Sequence, residues 1–122
     1  MASVSGFLAV ALGAFGAHAL KDSLTQQYLD IYHTAVNYQF THTLALLAVA
    51  TIMISVGGSV YLKVAGMCFS IGILIFSGSL YVLVFTSKHW LGAITPIGGS
   101  LLLVGWASLF LYAITYSKTI GQ

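Results

Sequence analysis

The chain predicts an all-α integral membrane protein, a four-helix bundle with an amphipathic interfacial helical segment before its second span. Three observations carry this. Only 5% of the 122 residues are charged and 59% are hydrophobic, where a soluble domain carries about 25% charged residues. The apolar residues fall into four runs, at about 2–20, 38–56, 64–86 and 96–116, each near the roughly 20 residues that cross a bilayer core. The runs do not alternate in polarity, so they are not barrel strands. Thirteen glycines beside a single proline suit helices whose backbones approach closely. The whole chain, 1–122, reads as one membrane domain.

The first run contains Ala17-His18-Ala19, which resembles a small-x-small cleavage site, but no basic segment precedes it, so it reads as a helix and not a signal peptide. Ala9, Gly13 and Ala17 recur at i, i+4 and i+8, a small-residue stripe expected to pack against another helix. Lys21 and Asp22 mark the exit. Ser23 to Gln26 reads as a capping box, with Ser23 as the cap and Gln26 reaching back.

From 24 to 37 the apolar positions Leu24, Tyr28, Ile31, Tyr32, Ala35 and Val36 share one helical face, opposite Gln26, Gln27, Asp30 and His33. This is the interfacial segment. No Gly or Pro interrupts the pattern between Leu24 and Val56. One straight rod of that length would measure about 50 Å against about 30 Å of hydrocarbon, so a bend near Asn37 is expected. Gly57-Gly58-Ser59 ends the second span, with Lys63 expected in the short turn. Ser87-Lys88-His89-Trp90 ends the third with an interfacial aromatic. Thr95 reads as the cap of the fourth span and Pro96 as its first helical residue, where a missing N–H costs nothing. Tyr112 and Tyr116 approach the far interface, and Lys118 closes the span.

Four spans sort the ionisable residues by side. Lys63, Lys118 and the terminal amine share one. Asp22, Asp30 and the four histidines belong to the other side or its adjacent membrane half. Lysines are tied at two against two. The amine tips the positive-inside rule toward cytoplasmic N- and C-termini, with dual topology as the rival. The candidate functional residues are the polar cluster of that second side: His18, Asp30, His33, Asn37, Gln39, His42, His89 and Thr95. Intramembrane ionisable groups are functional candidates by default, and imidazole titrates near neutral pH. The plainer expectation is that these groups hydrogen-bond neighbouring helices or headgroups. His33 and His42 point to roughly opposite faces of one helix, and no His-x-x-x-His pair, glutamate or cysteine ligand accompanies them, so no metal and no cofactor are expected. Gly78, between Ser77 and Ser79, and Gly98 and Gly99 join the expected packing positions.

Four stretches in order, GAFGAHAL (13–20), YHTAVNYQ (32–39) with His42, FSGSLY (76–81) and WLGAITPIGG (90–99), resemble the domain of unknown function 423 family, the YgdD-like small inner-membrane proteins. Eukaryotic transmembrane protein 256 looks like a relative. The resemblance covers nearly the whole chain. It implies a four-helix protein of the bacterial plasma membrane and carries no activity with it.

Without a nucleophile–base spacing, phosphate loop or metal motif, an enzyme is not expected. Four scattered lysines make no basic patch, so nucleic acid is not an expected partner. The expected partners are membrane lipids and either further copies of the chain or another membrane protein. The leading expectation is a structural or accessory membrane protein that acts through helix packing. The alternatives are a small oligomeric transporter or channel, or a lipid-binding protein, using the polar cluster. Proton-coupled small transporters use an embedded carboxylate, and both acids here lie in the first loop segment.

Overall fold

The computed structural model describes the backbone of residues 1–120 and the side chains of residues 1–117, so the side chain of Lys118 lies outside the described residues. Helix α1 (Ala2–Phe15) runs directly into one π-helical turn, Gly16–Leu20. Helix α2 is Gln26–Val56 and α3 is Val60–Thr86; a 3-10 turn, His89–Ala93, leads into α4, Thr95–Ile120. Four stretches are long and apolar enough to cross a membrane: Ala2–Leu20, Gln26–Val56, Val60–Thr86 and His89–Ser117. The described residues contain no strand.

Each helix packs on the next: α1 on α2, α2 on α3, α3 on α4. The α1–α2 pair is antiparallel, with Ser5 beside Thr43 and Gly16 beside Tyr32. Because α4 packs on α3, a seam remains between α2 and α4. One apolar cluster, built on Leu46, Val49, Leu62, Phe69 and Leu102, joins α2, α3 and α4. A second, built on Leu20, Leu29, Tyr32 and Val84, ties α1 and the start of α2 to the end of α3.

Several local expectations are corrected. Thr25, not Ser23, caps α2, accepting from the Tyr28 amide at 3.4 Å. Ser23 instead donates to the Ala19 carbonyl at 3.2 Å, because the chain is still turning out of the π-helical segment there. Gln26 does not reach back; its amide donates forward to Asp30 at 2.8 Å. Ser59 caps α3 through the Tyr61 amide, so Lys63 lies in the first helical turn and not in the loop. The Gly57 φ of +86° gives the chain the sharp exit from α2 that only glycine adopts easily.

The bend near Asn37 has no counterpart as a break in the helix: α2 continues through it for 31 residues, about 46 Å at the α-helical rise. Leu29, Tyr32 and Ala35 of this stretch are buried, so part of its apolar face packs on protein. A helix longer than the hydrocarbon is accommodated by tilt or by projection beyond it.

The small-residue expectations divide. Ala9 is buried and Gly13 touches Val36, but Ala17 is exposed. The π-helical turn shifts the register, so Gly16 and Leu20 take the inner face in its place. A Cβ on Gly16 would collide with the Tyr32 ring, 2.9 Å from Cδ1. Gly98 is the tightest crossing of α3 and α4: a Cβ there would sit 2.8 Å from Phe76 Cα. Gly99 makes ordinary contact with the Phe76 ring, and Gly78 faces open space with nothing within 4 Å. Within this chain Gly78 is therefore not a crossing point. Gly72, where a Cβ would sit 2.6 Å from Leu102, and Gly105, where one would sit 2.7 Å from Phe69, are crossing points in its place.

Candidate functional site

The polar residues of the spans form two arrangements with opposite character. The first is closed. Gln39 is 6% exposed; its amide donates to the Ser5 carbonyl at 3.1 Å and its carbonyl accepts from the Tyr81 hydroxyl at 2.8 Å. One side chain on α2 thus ties α1 to α3. Ser5 and Thr43 hydroxyls pair at 2.6 Å beside it. Ser77 donates to the Ala35 carbonyl at 2.8 Å, and Tyr32 to the Leu12 carbonyl at 2.7 Å. Between α3 and α4, Ser79 and Thr95 pair at 2.9 Å. Thr95 therefore does not cap α4 as expected, because its hydroxyl is engaged by Ser79 and the Leu91 carbonyl. Among the described residues every buried side-chain nitrogen and oxygen has a partner.

The second arrangement is open. A groove of about 630 Å³ lies between α2 and α4, floored by Phe76 of α3. Tyr38 stacks on Phe76 with ring centres 4.2 Å apart, and His42 lies between Tyr38 at 5.5 Å and Trp106 at 6.2 Å. His42 is 7% exposed. Its Nδ1 is 2.7 Å from the Tyr38 carbonyl of its own helix. A carbonyl only accepts, so Nδ1 carries a proton and Nε2 is the ring nitrogen without a partner in the chain. Asn37 and Thr41 lie on the same wall.

The expected cluster is thus not one site. Gln39 belongs to the closed arrangement, as does Thr95 at the α3–α4 crossing. His42 and Asn37 belong to the groove. His33 lies on another face, beside a small hollow lined by Gly16, Ala17 and Lys21. His18 and Asp30 are exposed, Asp30 accepting from Gln26. His89 stacks on Tyr28 with centres 6.4 Å apart, which brings the α3–α4 connection against the first turn of α2. No three His, Cys, Asp or Glu side chains among the described residues come together as metal ligands. Sequence reasoning missed Ser5, Thr43 and Tyr81 in the closed arrangement. Ser5 and Thr43 are small polar residues inside otherwise apolar runs, which is the signal that could have found them. It also missed Trp106 and Phe76 as groove walls, which no periodicity separates from other lipid-facing aromatics.

Four apolar spans, stapled by buried side-chain hydrogen bonds, define a multi-pass α-helical membrane protein. The family described as "Protein of unknown function (DUF423)" matches residues 12–99. The chain is 40% identical over 116 residues to the UPF0382 membrane protein YwdK of Bacillus subtilis, covering 95% of this chain and 94% of the relative. It is 44% identical over 109 residues to a UPF0382 membrane protein of Haemophilus influenzae, covering 89% and 86%. It is 38% identical over 117 residues to the UPF0382 inner membrane protein YgdD of Escherichia coli, covering 96% and 88%. The chain belongs to the DUF423 family, and it is a multi-pass protein of the bacterial cell membrane. No solved structure matches it.

Proposed function

We propose that this protein is a non-catalytic accessory component of the membrane, acting by helix packing against further copies of itself or a larger membrane protein. The observation that carries this is the closed arrangement. The buried polar side chains hydrogen-bond helix to helix and leave no unpaired buried atom among the described residues, so they stabilise the bundle and do not line a path through it. A proton-coupled transporter is disfavoured because both acids, Asp22 and Asp30, are exposed. The proposed orientation has cytoplasmic termini and the histidine side outside, from the slight excess of positive groups at the end bearing Lys63 and Lys118.

Native mass spectrometry of the chain extracted from its own membrane tests the packing role. The expected result is a mass above that of one chain. A strictly monomeric chain that moves protons or solutes in liposomes would overturn it.

A further inference from the structure

We infer that the α2–α4 groove is a binding site for a membrane-dissolved lipid with a flat ring and a hydroxyl donor, of the prenylated hydroquinone class. Several buried polar side chains find partners across the bundle: Ser5 with Thr43, Gln39 with Ser5 and Tyr81, Ser77 with Ala35, Ser79 with Thr95. The groove gathers groups that have none. The exposed side chains of Asn37, Thr41 and Trp106 line it with no hydrogen bond, and Nε2 of His42 opens onto it unpaired although the side chain is more than nine-tenths buried. Where lipid closes the groove to water, an acceptor left unpaired there rewards a ligand that pairs it.

The walls specify the occupant. Nδ1 of His42 is committed to the Tyr38 carbonyl; in the one uncharged tautomer this contact allows, Nε2 is an acceptor, which calls for an O–H or N–H donor. Tyr38, Phe76 and Trp106 surround that acceptor with aromatic surface, which favours a flat ring by stacked or edge contacts. The groove's volume, about 630 Å³, lies within the range of small-molecule pockets, about 300–1,000 Å³. A more apolar hollow of about 910 Å³, between Ile52 of α2 and Leu109 of α4, lies farther along the same seam. It gives an alkyl or prenyl tail a course that stays in the bilayer. A hydroquinone supplies the donor; its quinone, with carbonyls only, does not.

The test is equilibrium binding of tritiated decylubiquinol, held reduced, to the purified protein in nanodiscs of phosphatidylethanolamine and phosphatidylglycerol. Saturable binding is expected, with the oxidised form about 10-fold weaker for the lost hydrogen bond. His42→Phe should weaken binding by about 10-fold, while His42→Gln, which keeps an acceptor near the Nε2 position, should stay within about 3-fold. Ser100 is exposed and donates only to the Pro96 carbonyl. Ser100→Trp therefore fills the groove from its rim without touching the α3–α4 crossing, and should abolish binding even if a His42 variant folds poorly. Uptake no greater than that of protein-free nanodiscs would overturn the inference. So would saturable binding that ignores both the redox state and Ser100→Trp. In a Cys68→Ser background, a dimer cross-linked through Ser100→Cys in native membranes would also overturn it, by placing a second chain at the groove.

Discussion

At the scale of single residues, the glycines separate into those that permit a crossing and those that do not. Gly98 lies against the backbone of Phe76, where no rotamer change makes room. Gly98→Ala is expected to destabilise by about 1–3 kcal/mol, as overpacking does. Gly78 has nothing near its missing Cβ, so Gly78→Ala should be neutral or stabilising by up to about 1 kcal/mol through helix propensity. Unfolding midpoints in mixed micelles of increasing dodecyl sulfate fraction measure both. Equal effects would mean the α3–α4 crossing is not where these contacts place it. The two glycines are indistinguishable in the sequence, since each lies in a small-residue motif. Spacing gives the face a residue occupies, not what stands opposite. For the same reason the polar character of Gln39 and His42 was legible while their fates were not: one turn apart, they face different neighbours, one satisfied and one open.

At the scale of elements, the spans were legible because hydrophobic length and glycine punctuation are strong local signals. The second span ends at Val56 as Gly57 and Gly58 predict, and the third at Thr86. Starts were harder. Ser23 and Thr25 both have capping chemistry, and the choice depends on how α1 ends. A π-helical turn shifts the register there, and no residue type marks such a turn. Thr25→Ala should therefore weaken the first turn of α2 by about 1 kcal/mol, read as faster amide exchange at residues 26–29. Ser23→Ala, which loses only a bond back to the Ala19 carbonyl, should stay within about 0.5 kcal/mol. The reverse ranking would restore the capping box expected from the sequence. The length of α2 was also legible, but its accommodation was not, because the apolar face of residues 24–37 reads alike whether it meets lipid or protein.

At the scale of the whole molecule, two arrangements remain to be tested: which way up the protein sits, and how independently its helices are held. For the first, in a Cys68→Ser background, Gln27→Cys and Gly58→Cys lie at opposite ends of α2. With cytoplasmic termini, an impermeant maleimide should label the cysteine at position 27 in intact cells and the one at 58 only after permeabilisation. Labelling of both in intact cells would mean copies insert both ways up. For the second, α1 is attached to the rest chiefly through α2, whereas α2, α3 and α4 share the larger apolar cluster. A Cβ on Gly16, in the π-helical turn that follows α1, would meet the Tyr32 ring of α2. Gly16→Val wedges that contact and should free α1 while α3 and α4 stay paired. Two disulfide pairs in the same background report this separately: Ser5→Cys with Thr43→Cys across α1–α2, and Ser79→Cys with Thr95→Cys across α3–α4. Their hydroxyls are 2.6 Å and 2.9 Å apart in the native chain, so both pairs should oxidise readily. Adding Gly16→Val should suppress the first cross-link severalfold and leave the second intact. Loss of both would mean the four helices form one cooperative unit, in which α1 cannot leave without the α3–α4 crossing opening as well.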